Sequence, residues 1–334
     1  MKTLVIGCGA WGTTLADLIG NKNKVTLYCH DQKIIPEINT KKTNALYLPT
    51  FKKLSKNITA IGEESLVTET LNADLIVIVV AAKFFRRILK LIKPHLNKQL
   101  VLSATKGVEI ESGLSVLDIC QEELSSQVYY NQLAFLSGPN LAKEIYLGKP
   151  AATIIATKNT KVAKTLQKFI SCPALRVYTS SDVIGVEYGG ILKNIIAIAG
   201  GACDALDLGY NSKSALLVRS LAEIKRFAVK LGAQEKTFNG LSGMGDLMAT
   251  CFSPDSRNYQ VGFNLGKGQS LEDIIDNMSG VAEGVTSTKV IYKKAQKLNI
   301  PVPIIESIFQ ILYQKKSIPK VIQKLMTRNL KDED

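Results

Sequence analysis

A glycine-rich loop near the amino terminus constrains the fold of this chain more than any other feature. Gly7, Gly9 and Gly12 form a G-x-G-x-x-G pattern directly after the apolar run Thr3–Ile6, and helical periodicity begins near Thr13. Glycines at these positions permit a sharp turn, the approach of backbone to a phosphate, and close packing of helix on strand. The free amides of a helix N-terminus stabilise an anion. The pattern predicts a strand, a loop and a helix that bind the pyrophosphate of a dinucleotide.

Short β-rich runs alternate with helical patterns through the first half of the chain, which is typical of βαβ units and a parallel sheet. The uninterrupted hydrophobicity of Leu75–Val80 indicates a strand that is buried on both faces. The predicted strands are Thr3–Ile6, Lys24–Cys29, Leu75–Val80, Leu100–Ala104, Ala134–Ser137 and Ala152–Ala156.

After about Ser180 helical periodicity replaces the strand-like runs, and Asp182 is positioned to cap the first long helix. The predicted helices are Val183–Ala199, Lys213–Leu231, Ser253–Leu265, Leu271–Met278, Thr286–Leu298 and Ile304–Tyr313. We therefore predict an α/β fold class. A Rossmann-like dinucleotide-binding domain, residues 1–180, is followed by an all-helical C-terminal domain, residues 181–334.

The net charge of +13 raises the question of an anionic partner. Only seven of the 42 basic residues are arginines, and the lysines are spread along the whole chain. Nucleic-acid surfaces usually cluster arginines with aromatic residues, so we expect no nucleic-acid partner. One amphipathic segment, residues 83–93, could touch an anionic membrane surface, although its aromatic residues are expected to pack on the sheet.

Cysteine and histidine usage excludes several kinds of site. The six cysteines contain no C-x-x-C pair, which is typical of reduced thiols in a cytoplasmic protein. Only two histidines occur, so we expect no metal site built on histidine and no proton relay centred on it. No run of about 20 apolar residues is present, because Lys193 and Gly200-Gly201 interrupt the longest candidate, and we expect no integral membrane segment.

The end of the second predicted strand leaves the cofactor's phosphorylation state open. Asp31 lies 19 residues after Gly12, which is about where a carboxylate binds the adenosine ribose of NAD. His30 and Lys33 flank it, and a cation at this position favours the 2′-phosphate of NADP.

Two lysines are candidates for chemistry. Lys106 follows an apolar strand and should emerge at the carboxyl edge of the sheet, where open α/β sheets bind ligands. Lys193 shares a helix face with Gly189, Gly190 and Ala197, a stripe that leaves room for a ligand against the helix. Snorkelling or close helix packing would account for the same pattern.

Two segments further along the chain supply a carboxylate and an anion site. Asp246 ends a tight glycine loop, residues 240–246. Ser253 and Pro254 predict a helix start that places Ser256, Arg257 and Asn258 in its first turn, where free amides and a guanidinium favour a phosphate. Together, these features suggest a dinucleotide-dependent reaction on a small phosphorylated substrate, with lysine handling the proton.

Several motifs in one order over more than 270 residues resemble those of the bacterial NAD(P)-dependent glycerol-3-phosphate dehydrogenases. The motifs are Gly7-Cys8-Gly9-Ala10-Trp11-Gly12, Ala104-Thr105-Lys106-Gly107, Ser137-Gly138-Pro139, Asp182-Val183-Ile184-Gly185-Val186-Glu187, Leu192-Lys193-Asn194, Gly243-Met244-Gly245-Asp246-Leu247, Ser256-Arg257-Asn258 and Val281-Ala282-Glu283-Gly284. The resemblance implies reversible reduction of dihydroxyacetone phosphate to sn-glycerol 3-phosphate with NAD(P)H, supplying glycerophospholipid synthesis.

The resemblance also assigns roles to residues. It implies that Lys193 is the proton acceptor in the oxidative direction and that Lys106 and Asp246 complete the catalytic group. The implied cofactor contacts are Gly7, Gly9, Ala10, Trp11, Gly12, His30, Lys106, Ala142, Arg257, Val281 and Glu283. The implied substrate contacts are Lys106, Gly138, Asn140, Lys193, Asp246, Ser256, Arg257 and Asn258.

Two positions depart from the family pattern. Asn140 stands where many relatives carry a hydroxyl residue, and Val80-Ala81-Ala82-Lys83 replaces a segment that often contains proline and serine. The alternatives are a related two-domain oxo-acid or hydroxy-acid reductase, and a dinucleotide-sensing or nucleic-acid-binding module. We expect the chain to assemble as a homodimer.

Overall fold

One sheet of eight strands organises the first half of the protein. The computed structural model describes residues 1–278, 280–330 and 332–333. The strands are β1 (Thr3–Ile6), β2 (Val25–Tyr28), β3 (Ile58–Ile61), β4 (Leu75–Ile78), β5 (Leu100–Ser103), β6 (Leu133–Ser137), β7 (Ala151–Ala156) and β8 (Leu175–Ser180). Their order is β3-β2-β1-β4-β5-β6-β7-β8, and every neighbouring pair is parallel except β6 and β7.

The strand order reverses between β1 and β4, and this reversal fixes where a ligand can bind. β1 pairs with β2 on one side and with β4 on the other. In open α/β sheets a crevice forms outside the carboxyl ends of the strands at such a switch point. The Gly7–Gly12 loop leaves β1 at this crevice.

All six predicted strands are confirmed: the bounds of Thr3–Ile6 are unchanged, and the ends of the other five differ by at most two residues. The prediction missed β3 and β8, the two edge strands. Arg176 and Tyr178 of β8 face solvent, so this strand lacks the continuous apolar run that marks the buried ones. The antiparallel orientation of β7 relative to β6 was also not predicted, because a hydrophobic pattern does not show in which direction a strand runs.

Fifteen α-helices accompany the sheet in the described residues. They are α1 (Ala10–Gly20), α2 (Leu66–Asn72), α3 (Ala82–Ile92), α4 (Val116–Glu123), α5 (Ser126–Gln132), α6 (Ala142–Tyr146), α7 (Thr160–Ile170), α8 (Val183–Ala205), α9 (Gly209–Lys230), α10 (Asp246–Phe252), α11 (Arg257–Gly266), α12 (Leu271–Asp276), α13 (Glu283–Lys297), α14 (Pro303–Gln314) and α15 (Ile318–Met326).

Helix α8 forms the centre of the second half. Of the described helices, it is the one with the length and hydropathy of a membrane span, and 83% of its apolar window is buried inside the protein. Its glycines allow a close crossing with α11: a Cβ on Gly201 would lie 2.0 Å from the carbonyl oxygen of Tyr259, and one on Gly262 would lie 1.7 Å from that of Ile198. Gly200-Gly201 therefore does not end the helix, which continues to Ala205.

The junction between the two halves is short. β8 ends at Ser180, and α8 begins at Val183 with Asp182 as its N-cap, as predicted; the Asp182 carboxylate accepts from the Gly185 amide at 2.9 Å. The same carboxylate accepts from the Thr237 hydroxyl at 2.6 Å. The division into domains 1–180 and 181–334 itself remains a prediction.

The basic face of α3 is largely paired with acids. Arg86 forms ion pairs with Glu109, Glu122 and Glu123 at 2.8–2.9 Å, while Phe85 is buried against the sheet. This pairing leaves less free positive charge for an anionic surface than the sequence of segment 83–93 suggests.

Candidate active site

The glycine loop has two packed positions and one open position. Gly7 has φ +116°, and a Cβ there would lie 2.3 Å from the Val79 carbonyl oxygen; a Cβ on Gly12 would lie 1.9 Å from that of Gly7. By contrast, no described residue other than its chain neighbours has a heavy atom within 4 Å of the Cβ position of Gly9. Gly7 and Gly12 therefore hold the turn against the sheet, and Gly9 leaves backbone open to a ligand.

The loop also exposes a helix N-terminus. α1 begins at Ala10, three residues earlier than predicted, with Gly9 as N-cap and no described side chain capping its first turn. Beside it, the buried indole N–H of Trp11 has no hydrogen-bond partner in the described chain. Free amides, an open glycine and an unpartnered donor fit the pyrophosphate of a dinucleotide.

The end of this crevice where the adenosine would bind carries side chains of both charges. His30, Asp31 and Lys33 are all exposed after β2. The Asp31 carboxylate accepts from the Lys33 amide at 3.0 Å, which starts a short 3₁₀ turn, Gln32–Ile34. A carboxylate and two basic side chains are thus exposed together after β2, and their charges fit a ribose with or without a 2′-phosphate.

Three residues from distant parts of the chain meet in one charged cluster. The Lys106 ammonium donates to Asp246 Oδ2 at 2.7 Å, and the Lys193 ammonium donates to Asp246 Oδ1 at 2.8 Å. Lys106 also donates to the Gly138 carbonyl at 3.1 Å, and Lys193 donates to the Thr250 hydroxyl at 2.8 Å. The structure therefore brings together Lys106, Lys193 and Asp246.

The helix glycines beside Lys193 make this cluster possible. A Cβ on Gly189 would lie 2.3 Å from the Ser242 carbonyl oxygen, and one on Gly190 would lie 3.4 Å from the Lys106 side chain. The small-residue stripe is thus occupied by the 240–246 loop and by Lys106. The expectation that it leaves room for a ligand is wrong at these two glycines, which instead allow close packing.

Burial and the two ammonium groups set the electrostatics of the cluster. Burial of the Asp246 carboxyl would by itself raise its pKa, but Lys106 and Lys193 outweigh that effect and lower the pKa below its ordinary value. Burial, assisted by the neighbouring charge of Lys193, lowers the pKa of Lys106 to about 8, against the opposing pull of Asp246. Asp246 is therefore the anionic partner of both lysines, and Lys106 can lose its charge near pH 8.

The predicted anion site is present but starts later than expected. Ser256, not Ser253, is the N-cap of α11: its hydroxyl accepts from the Tyr259 amide, and the helix begins at Arg257. Ser253 instead accepts from the Asp255 amide, because residues 253–256 form a turn before the helix. Arg257 is consequently the first helical residue, three positions nearer the helix start than the sequence suggests.

Asn258 and Arg257 bind two different neighbours. Asn258 donates to Asn194 Oδ1 at 3.0 Å and accepts from the Gly284 amide at 2.8 Å, so it joins α8 to the start of α13. The Arg257 guanidinium donates to the Val281 carbonyl at 3.1 Å. A Cβ on Gly280 would lie 2.7 Å from that guanidinium, so a side chain at position 280 would displace Arg257 from this place.

Glu283 connects the helical half to the nucleotide half. Its carboxylate accepts from the Ala82 amide at the start of α3 at 3.0 Å, and it lies against Gly107. Burial raises the pKa of Glu283 to about 7. Two hydrogen bonds hold the segment 80–83, which departs from the family pattern. The Val80 carbonyl accepts from the Thr105 hydroxyl at 2.9 Å, and the Ala82 amide donates to Glu283.

Two further residues that the resemblance implies as ligand contacts, Asn140 and Ala142, form hydrogen bonds within the protein. The Asn140 amide donates to the Ala152 carbonyl at 3.1 Å and accepts from the Thr153 hydroxyl at 2.8 Å. Ala142 begins α6, and its carbonyl accepts from Thr14 of α1 at 3.2 Å. Asn140 and Ala142 thus shape the loop beside Gly138.

Sequence reasoning gave no role to two polar residues of the site. Thr250 holds Lys193, and its hydroxyl also donates to the Asp246 carbonyl one helical turn earlier, at 2.6 Å. Asn194 is the partner of Asn258. Extending the glycine loop into helix α10 would have suggested Thr250, because residues four apart share a helix face.

The chain matches known proteins along nearly its whole length. The sequence profile of the NAD-dependent glycerol-3-phosphate dehydrogenase N-terminus matches residues 2–163, and that of the C-terminus matches residues 182–323. A glycerol-3-phosphate dehydrogenase [NAD(P)+] from Syntrophotalea carbinolica is 42% identical over 338 aligned residues, covering 100% of this chain and 99% of that protein.

Two further relatives extend the match. The Bacillus subtilis glycerol-3-phosphate dehydrogenase [NAD(P)+] is 39% identical, covering 98% of this chain and 94% of that protein. The crystal structure of glycerol-3-phosphate dehydrogenase from Coxiella burnetii superposes with a TM-score of 0.91 at 31% identity, covering 98% of this chain and 99% of that one. The chain belongs to the NAD-dependent glycerol-3-phosphate dehydrogenase family.

Proposed function

We propose that this protein catalyses the reversible reduction of dihydroxyacetone phosphate to sn-glycerol 3-phosphate with NAD(P)H and supplies glycerophospholipid synthesis in the cytoplasm. The observation that carries the proposal is the Lys106–Asp246–Lys193 cluster, in which one buried carboxylate holds two ammonium groups. Residues 1–180 would bind the dinucleotide, and residues 181–334 would bind most of the substrate.

Lys193 suits proton transfer to the substrate oxygen. An ammonium group has three N–H donors. Asp246 and Thr250 accept two of them, which leaves one N–H for a ligand oxygen. The nicotinamide, when bound, supplies the hydride to the carbonyl carbon. Lys193 would donate a proton to the resulting oxygen and accept it in the reverse direction.

Lys106 suits binding and polarisation of the same substrate. Its ammonium donates to Asp246 and to the Gly138 carbonyl, so it too has one N–H to spare. Its lowered pKa, about 8, means that its charge is held less firmly than that of a surface lysine. A bound anion would stabilise the charged form.

The start of α11 suits the phosphate. Ser256, Arg257 and Asn258 place a hydroxyl, a guanidinium and first-turn amides at a helix N-terminus, where the dipole favours an anion. Among the described residues, the Arg257 guanidinium donates to the Val281 carbonyl, and its other N–H groups remain for a bidentate phosphate contact.

The test measures initial rates with dihydroxyacetone phosphate, NADH and NADPH side by side, with pyruvate as the oxo-acid comparison. Oxidation of either cofactor by dihydroxyacetone phosphate, and not by pyruvate, is expected. Turnover of pyruvate alone would favour the related oxo-acid reductases. Steeply salt-dependent nucleic-acid binding without turnover would favour a binding module.

The assembly that we propose is a homodimer. Light scattering of the purified chain tests it, with a mass of about twice 36.4 kDa expected. The cytoplasmic placement is supported by the six cysteines, which are free thiols.

A further inference from the structure

A buried lysine and one aspartate join three helices beside the start of α11. The Lys213 ammonium donates to Asp204 Oδ2 at 2.5 Å, and the Tyr259 hydroxyl donates to the same oxygen at 2.7 Å. Asp204 lies at the end of α8, Lys213 near the start of α9 and Tyr259 in the first turn of α11. Only 5% of Lys213 is exposed, so its charge depends on these neighbours.

The same ammonium group contacts both ends of the turn of residues 253–256. Lys213 Nζ lies 4.4 Å from the ring centroid of Phe252, the last residue of α10, and 5.5 Å from that of Tyr259. A desolvated cation is attracted to the faces of aromatic rings. One cation therefore holds the residue that precedes the turn and a residue just after it.

Hydrogen bonds within the turn make it one unit. The Ser256 amide donates to the Ser253 carbonyl at 3.0 Å, and the Tyr259 amide donates to the Ser256 hydroxyl at 3.3 Å. Arg257 follows Ser256 directly as the first residue of α11. A shift at either end of the turn would therefore carry Ser256 and Arg257 with it.

We propose that Asp204 and Lys213 are positioning residues for the substrate phosphate, and that they act through Tyr259 and the start of α11. The inference rests on the proposed function, which assigns the phosphate to Ser256 and Arg257. A bidentate contact from a guanidinium requires a fixed geometry, and misplacement of the helix start weakens it.

The position of the cluster predicts an effect on binding more than on turnover. Lys193 is held by Asp246 and Thr250, and neither of these residues contacts Asp204 or Lys213 through a hydrogen bond described in the structure. Loss of the Tyr259 hydroxyl should therefore raise KM and leave kcat nearly unchanged. A cluster that only stabilised the helical half would give no such division.

Tyr259→Phe is the direct test, because it removes one hydroxyl and keeps the ring over Lys213. We expect KM for dihydroxyacetone phosphate to rise about fivefold or more, with kcat within about twofold of wild type. Tyr292→Phe is the matched control, since that hydroxyl accepts from Gln296 within α13, away from the turn. An unchanged KM in folded Tyr259→Phe would overturn the proposal.

A double-variant cycle tests whether Tyr259 acts through Asp204. We expect Asp204→Ala to raise KM at least as much as Tyr259→Phe, and the double variant to raise it no further than Asp204→Ala alone. Asp204→Asn keeps an oxygen that accepts from Tyr259 and should raise KM less than Asp204→Ala. Effects of the two single variants that multiply in the double variant would contradict the proposal.

Binding of inorganic phosphate gives a readout that needs no turnover. A ligand that binds the folded state raises Tm, and Arg257→Ala gives the rise that comes from phosphate bound elsewhere. Above that baseline, we expect the rise to be smaller in Tyr259→Phe than in the wild type and unchanged in Tyr292→Phe. Equal rises in Tyr259→Phe and the wild type would overturn the positioning role. The expected difference in an enzyme that does not reduce dihydroxyacetone phosphate would refute the proposed substrate and support the positioning role.

Discussion

The Lys193 ammonium lies 2.8 Å from one oxygen of the Asp246 carboxylate, whose other oxygen binds Lys106. Only 1% of Asp246 and 8% of Lys193 is exposed. A buried charge is tolerated only when it is paired and hydrogen-bonded. This arrangement holds two positive charges and one negative charge in a buried site, so the cluster keeps a net positive charge, which favours an anionic ligand.

Replacing Lys193 tests its part in proton transfer. Lys193→Ala removes the donor to the substrate oxygen, and we expect kcat to fall by about 10²–10⁴-fold. Lys168→Ala, which removes an exposed lysine of α7, should leave kcat unchanged. Steady-state rates with dihydroxyacetone phosphate measure both. Near-normal kcat in a folded Lys193→Ala enzyme would remove Lys193 from the mechanism.

Asp246 should matter to stability as well as to turnover. Asp246→Asn keeps the shape of the side chain but leaves two ammonium groups without a countercharge. Breaking a buried pair in this way costs about 3–5 kcal/mol of unfolding free energy. We expect a lower urea midpoint and a large loss of kcat/KM. Asp255→Asn removes an exposed carboxylate from a surface ion pair and should change neither by much. Equal stability of Asp246→Asn and the wild type would mean that the lysines are not held by charge.

The dependence of kcat/KM on pH should reflect the protonation state of Lys106. Burial lowers the pKa of Lys106 to about 8, so the ammonium loses its proton as the pH rises through that value. Neutral Lys106 binds a polarised carbonyl or phosphate oxygen less well, and we expect kcat/KM for dihydroxyacetone phosphate to fall above pH 8. Lys106→Arg stays charged in this range and should flatten that limb. A wild-type profile that is flat from pH 7 to pH 10 would contradict the role of Lys106.

Much of the fold was predictable because buried strands of a parallel sheet read as continuous apolar runs, such as Leu75–Ile78. β3 and β8 escaped prediction because edge strands are half exposed. Helix α15 escaped for a related reason, since Val321 is its one buried residue. The hydrophobic pattern within each element therefore decides whether the sequence predicts it.

The site was predictable only as separate candidates. Lys106, Lys193 and Asp246 each stood out locally, but Lys106 and Asp246 are 140 residues apart, and no local pattern states that they meet. Their meeting depends on glycines such as Gly189, whose missing side chain admits the Ser242 carbonyl. Thr250 was missed because its role exists only once Asp246 begins a helix.

Arg257 should act through substrate binding. Its guanidinium reaches the Val281 carbonyl and retains donors for a phosphate. Arg257→Ala should raise KM for dihydroxyacetone phosphate by about 10–100-fold with a smaller effect on kcat, since uniform binding is lost. Arg176→Ala, on the exposed side of β8, serves as the control. Michaelis–Menten analysis of the three enzymes decides the matter, and an unchanged KM in Arg257→Ala would exclude the phosphate contact.

The two kinds of glycine in the amino-terminal loop should respond differently to one added methyl group. Gly9→Ala places its Cβ in open space with φ −68°, so the fold should keep its stability while the methyl group crowds the pyrophosphate. Gly12→Ala places its Cβ 1.9 Å from the Gly7 carbonyl oxygen, so it should lower unfolding free energy as well. Urea unfolding and NADH titration of both variants separate the effects. We expect weaker NADH binding in both and a lower urea midpoint in Gly12→Ala alone. If Gly9→Ala bound NADH as tightly as the wild type, the open face of the loop would not be the pyrophosphate site.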